Sequence, residues 1–213
     1  MAGFADIQVG GEDINDLTVS VKQGVSVVGR ILMDQTATAI NVSRMRVRLE
    51  PMRTLPLGAS NTRVEEDGTF LLENVSQTEF RVSLIGLPED AYVAEVRSGG
   101  VDVLNAGLSV NPDVSPLAFL ISNNGSRIDG MVQVGSNIAF TGAQVVLIPA
   151  DPTRGDLYEI ASADQYGRFS MRGTAPGRYR LFAWEDAPAG AYEDPEFVRE
   201  YDAYGAPVEI RQG

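Results

Sequence analysis

The sequence predicts an all-β chain built as two tandem sandwich modules, and three observations carry that prediction. The chain repeats itself at an offset of 98 to 101 residues. Within the repeated stretches apolar side chains alternate with polar ones at period two, the mark of half-buried strands. Turn dipeptides punctuate the stretches at spacings that suit short strands. Self-similarity at a fixed offset in one chain means two copies of one fold.

The repeat can be followed element by element. VVGRI (27–31) is answered by IDGMV (128–132), and RVRLEPM (46–52) by QVVLIPA (144–150). TRVEEDGTFLLENV (62–75) is answered by ASADQYGRFSMRGT (161–174), and FRVSL (80–84) by YRLFA (179–183). In the first copy Met45, Val47 and Leu49 alternate with Arg46, Arg48 and Glu50. Ala143, Val145 and Leu147 take the inward part in the second. Phe70 and Leu72 match Phe169 and Met171, and Phe80, Val82 and Leu84 match Tyr179, Leu181 and Ala183. Asp67-Gly68 and Tyr166-Gly167 are equivalent turns, and Pro176-Gly177 is another.

The domain reading follows. Residues 23–122 form one module and 123–213 the second, with the polar hinge Ser122-Asn123-Asn124-Gly125 at the joint. The stretch Ile7–Ile14 resembles Val96–Val103, and Leu17–Val21 echoes Leu117–Ile121. Residues 1–22 therefore read as the tail of a preceding module in a longer array. After residue 184 the second copy departs from the first. There Asp194 suits a helix cap, Pro195 a first helical position, and Gly205 with Pro207 a stop. Phe197, Tyr201 and Tyr204 lie at i, i+4 and i+7. The spacing predicts a short helix over 195–204.

Composition excludes more than it assigns. The net charge is −12, from 29 acids against 17 bases, and such a surface repels phosphate backbones. Nucleic acid is not an expected partner. The chain has no cysteine and no histidine. That removes disulfides, thiolate metal sites, the commonest zinc ligand and the commonest general base. Neither a metal nor any other cofactor is expected. No apolar run approaches the 18 residues of a membrane span, so no insertion of this segment is expected. Residues 1–11, MAGFADIQVGG, lack the basic and apolar regions of a secretory leader.

The tandem layout resembles the carboxypeptidase regulatory-like family. Its best match here is IDGMV, then TGAQVVLIP, then ADQYGRFSMRGTAPGRYRLFAW. The first copy departs at Ser76–Phe80, where the usual Pro-Gly-x-Tyr is replaced. The resemblance implies two seven-stranded transthyretin-like, immunoglobulin-like Greek-key sandwiches. It implies an accessory, non-catalytic role in a secreted or surface bacterial protein, in an extracellular, periplasmic or outer-membrane-associated setting. The expected function is a spacer, adhesion or protein-interaction unit, with other modules of the same chain or surface proteins as partners. The alternative is a carbohydrate-binding module with a polysaccharide partner.

Three candidate sites can be weighed. If Tyr179, Leu181 and Ala183 face the core, Arg180, Phe182 and Trp184 face outward. Phe182 and Trp184, with Tyr192 downstream, are the ligand-binding candidates, since exposed aromatic faces stack on sugar rings. The competing expectation is that Phe197 and Tyr201 fold over Phe182 and Trp184 and bury them. The second candidate is 185–204, with seven acids against Arg199. It reads as a solvated acidic face, because no calcium-loop spacing is present. The third is Lys22, the chain's one lysine. Similar sandwiches of the Cna B type form Lys–Asn bonds, but the second copy has no lysine, and Lys22 reads as a surface residue. Paired carboxylates could in principle cleave glycosides, but two small sandwiches offer no deep cleft for them. No catalytic residue is assigned.

Overall fold

A computed structural model describes residues 3–211, apart from 4, 6, 8, 11–13, 35–39, 54–57 and 136–137. Part of the 1–22 tail, including one glycine of its Gly-Gly turn, therefore lies outside the described residues. Contacts divide the chain into two compact units. The first comprises Met1–Leu32, Asn41–Gly86 and Val96–Phe119, and the second Met33–Ile40, Leu87–Glu95 and Leu120–Gly213. The fold is the all-β sandwich that the alternation predicts, immunoglobulin-like as the family resemblance implies.

The first copy contributes nine strands: β1 (Val25–Met33), β2 (Arg46–Pro51), β3 (Ser60–Arg63), β4 (Thr69–Val75), β5 (Glu79–Ile85), β6 (Tyr92–Ser98), β7 (Val101–Asp102), β8 (Leu108–Ser109) and β9 (Leu117–Ser122). One sheet has the order β4-β1-β9-β6-β7 and the other β3-β2-β5-β8. The chain therefore changes sheet repeatedly, as a sandwich requires. Val27, Val47, Leu49, Phe70, Leu72, Phe80, Val82, Leu117 and Phe119 are buried. Alternation puts these side chains on the inward face and leaves Arg46, Glu73 and Arg81 in water. Phe70 meets Phe119 edge-on at 5.8 Å.

The second copy contributes β10 (Ser126–Met131), β11 (Gln133–Val134), β12 (Ile138–Ala139), β13 (Gln144–Pro149), β14 (Glu159–Ser162), β15 (Arg168–Thr174), β16 (Gly177–Trp184) and β17 (Ala206–Ile210), with helix α1 (Pro195–Glu200). The larger sheet runs β14-β13-β16-β17, β10 pairs with β15, and β11 and β12 form a small hairpin. Val145, Leu147, Phe169, Met171, Tyr179 and Ile210 form the core.

The registers repeat along with the sequence. Gly29 pairs with Phe70 and Gly130 with Phe169, and each ladder is bulged, between Val25 and Val27 and between Ser126 and Ile128. Arg46–Pro51 pair with Ile85–Phe80 just as Gln144–Pro149 pair with Trp184–Tyr179. The equivalent turns use one device, a carboxylate gripping the next strand. Asp67 accepts from the Thr69 N–H at 2.9 Å, and Asp164 from the Tyr166 and Arg168 N–H groups at 2.8 Å. Gly68 and Gly167 have φ values of +83° and +74°, which L side chains adopt only at a cost.

Candidate functional site

The face in question is the outer face of β16. Residues two apart on a strand share a face, so Arg180, Phe182 and Trp184 line up. Tyr179 enters the core and Leu181 packs against it, but Ala183 is exposed rather than inward as expected. Ala183 stands near the end of its strand, and among the described residues the facing sheet holds β10 and β15.

Phe182 and Trp184 stack at 5.1 Å with planes 10° apart, and they are not a free platform. Phe182 is 3% exposed and Trp184 and Tyr192 are each 9% exposed. Trp184 has Phe197 at 5.9 Å and Tyr201 edge-on at 5.8 Å, while Phe197 and Tyr201 lie 5.0 Å apart. The carbohydrate-binding alternative needed an exposed aromatic pair, and the chain's own helix covers that pair. The equivalent positions of β5 are Arg81, Ser83 and Ile85, which need no cover.

Local chemistry builds the cover. The Asp194 carboxylate accepts the Glu196 N–H at 2.8 Å and Pro195 occupies the first turn, so α1 starts where its sequence predicts. It ends at Glu200, earlier than expected, and Asp202–Tyr204 form a 3-10 turn. Arg180 ties down the turn that follows the helix. It pairs with the Asp202 carboxylate, donates to the Asp202 carbonyl, and donates to the Gly205 carbonyl at 3.1 Å. Tyr204, expected on the apolar face, lies past the end of α1 and is exposed.

Val146, Ile148 and Tyr158 complete the cluster and were not singled out in the sequence. A signal existed for two of them. Residues 145–148 are apolar without interruption, where 47–50 alternate. An uninterrupted run marks a strand covered on both faces, and β13 is buried on both.

Beside the cluster lies a groove of about 390 Å3, lined by Pro149, Tyr158, Tyr192, Val198, Arg199 and Asp202 among others. Of the three candidate ligand residues only Tyr192 reaches it. Tyr158 and Tyr192 are 6.4 Å apart. Burial, and then the charge of Glu193, push the Tyr158 hydroxyl above its usual range.

On the other face of the sheet, the buried Thr174 hydroxyl donates to Glu159 at 3.0 Å. Burial raises the Glu159 carboxyl above the ordinary carboxylate range, and the Thr174 bond offsets part of that. Tyr179 donates to the Ala175 carbonyl at 2.8 Å. Burial first, and the Glu159 charge second, push its hydroxyl up to about 12.

The acidic stretch 185–204 divides its charges among local tasks. Asp194 caps α1 and Asp202 holds Arg180. Among the described residues no three acidic side chains converge as a metal would require. Lys22 is exposed. Among the described residues no helix is long and apolar enough to cross a membrane.

No family model matches the chain, and no curated protein does. Similar solved structures include a streptococcal ancillary pilin, at 13% identity and a TM-score of 0.31, over 78% of this chain and 55% of that one. The Bacillus anthracis TIE protein is 15% identical at a TM-score of 0.34, over 90% of this chain and 32% of that one. The full-length major pilin RrgB from Streptococcus pneumoniae is 10% identical at a TM-score of 0.30, over 89% and 43%. The chain thus spans about half or less of these proteins, and likeness at this level carries nothing over to it.

Proposed function

We propose that this chain is a non-enzymatic tandem β-sandwich piece of a secreted or outer-surface bacterial protein, acting as a spacer, adhesion or protein-interaction unit. One observation carries the reading. The aromatic face that offered a ligand platform is consumed as internal packing, with Trp184 stacked on Phe182 and closed over by Phe197 and Tyr201. What then remains is a scaffold used twice, with equivalent ladders and equivalent bulges. The motif resemblance to the carboxypeptidase regulatory-like family supports the accessory role and the surface location. In this reading the modules are 23–122 and 123–213, preceded by 1–22.

Pulling single molecules by their two ends tests the proposal. Two modules of about 100 residues, extended at roughly 3.5 Å per residue, should give two separate unfolding events of roughly 300 Å each. One event, or gradual extension without a force peak, refutes the spacer reading.

A further inference from the structure

The stretch that covers the aromatic cluster also builds one wall of the groove beside it. That wall carries Tyr192, Pro195 and Arg199. The first copy has no such wall, because β5 is followed directly by β6. The facing wall is the passage from β13 to β14, with Pro149, Pro152 and Tyr158. Both walls are fixed by short-range bonds. The Asp151 carboxylate accepts the Thr153 N–H at 3.0 Å, and Arg154 donates to Asp156 at 2.9 and 2.8 Å. Asp194 caps α1 on the other side. Walls set in advance spare a ligand the cost of ordering them.

The lining is aromatic and rich in donors. Tyr192 is nearly buried and Tyr158 half-buried, with ring centres 6.4 Å apart. Among the described residues neither tyrosine hydroxyl has a hydrogen-bond partner, and the exposed Arg199 guanidinium has no ion pair. Burial and the Glu193 charge hold the Tyr158 hydroxyl protonated, so it stays a donor at neutral pH. The complement of such a groove is a chain with free carbonyls and apolar rings. A proline-rich segment in the polyproline II form has both, since it makes no internal hydrogen bonds and its prolines lack N–H groups. It rises about 3.1 Å per residue, so two residues span about 6 Å, the separation of the two rings.

Charge decides what else the segment carries. Residues 185–204 hold seven acids against Arg199. Asp194 and Asp202 are used locally. Glu193, Glu196 and Glu200 are exposed and, among the described residues, have no ion pair. Glu193 follows Tyr192 in the chain, and its charge reaches Tyr158. Acids beside an aromatic groove favour a basic residue next to the prolines.

We propose that this groove is a docking site for an extended proline-rich segment of another protein, carrying arginine or lysine beside its prolines. The tyrosine faces would pack on proline rings, the two hydroxyls would donate to its carbonyls, and Glu193 would face its basic residue. The proposal rests on the protein-interaction reading above and names the chemistry of the partner.

Calorimetric titration of the full chain with three synthetic peptides of equal length tests it. One is a proline run with an arginine pair at each end. The second replaces the prolines by glycine and serine, and the third replaces the arginines by glutamate. The first should bind at least about tenfold more tightly than either of the others. Tyr158→Phe keeps the ring and removes one donor, and should weaken that binding about fivefold. Glu193→Lys should abolish the advantage of arginine over glutamate ends. Glu193 is exposed and Tyr158→Phe keeps the packing, so both variants should retain the native melting transition. The proposal is overturned if the first peptide binds no better than the glycine-serine peptide or the glutamate-ended one. It is also overturned if Tyr158→Phe leaves the affinity unchanged, or if the arginine preference survives Glu193→Lys. Any of these failures would leave the two-event unfolding of single molecules untouched.

Discussion

Phe197→Ala should strip the cover from the aromatic cluster and report its own effect. Phe197 is half-buried and touches Trp184 and Tyr201 at 5.9 and 5.0 Å between ring centres. A wholly buried aromatic removes about 200 Å2 from water. Half of that, at roughly 25 cal/mol per Å2, is about 2.5 kcal/mol, and a residual cavity would add to it. Burial also predicts the signal. Trp184 is the chain's single tryptophan, so its emission reads this cluster alone. The native chain should emit in the blue range of a buried indole, and Phe197→Ala should shift it to the red as water reaches the ring. Urea unfolding followed by this fluorescence gives the stability change. Phe197→Leu keeps most of the apolar volume and should cost about 1 kcal/mol. Native emission that is already red, together with an alanine variant of unchanged midpoint, would refute the packing argument.

Three further outcomes can be checked. Because the folded-state pKa of Glu159 is raised, the folded chain holds this proton longer than the unfolded chain does. Stability should therefore fall as pH rises from the ordinary carboxylate pKa through the raised one, and level off above it. Glu159→Gln should lack that fall and be the more stable protein at neutral pH, and denaturation series at several pH values would show the reverse if the account is wrong. Gly29→Ala should destabilise by about 1–3 kcal/mol through overpacking against the Leu117 backbone and the Phe70 ring. Gly130→Ala meets a side chain and no backbone atom among its nearest neighbours and should cost less, so equal losses by calorimetry would refute that difference. Equimolar zinc should leave the melting temperature unchanged, and calcium should add little. A calcium-dependent rise of about ten degrees would mean that the acids of 185–204 gather around an ion.

Local pattern made much of this protein legible. The alternation of Val47 and Leu49 with Arg48 and Glu50 is set by the two-residue period of an extended chain, so it can be read without knowing what covers the strand. The turns at Gly68 and Gly167 and the cap at Asp194 are equally local, because the carboxylates involved grip N–H groups two to four residues away. The aromatic cluster was within reach for the same reason. Phe182 and Trp184 share a strand face, and Phe197 and Tyr201 are one helical turn apart.

Tertiary structure decided what lies against each face. The unbroken run 145–148 marks a strand covered on both faces, but only the fold of 185–205 over β13 and β16 settles what covers Val146 and Ile148. The helix gives way after Glu200 to a 3-10 turn, and Arg180, twenty residues upstream, ties that turn to the sheet through the Asp202 carboxylate and the Gly205 carbonyl. The leading edge of β10 reads in sequence like that of β1, IDGMV against VVGRI. Whether such an edge is closed depends on a strand far along the chain, β9 for β1. Periodicity fixes which way a side chain points, because that is backbone geometry. It cannot fix what the side chain meets, because that is decided by segments many residues away.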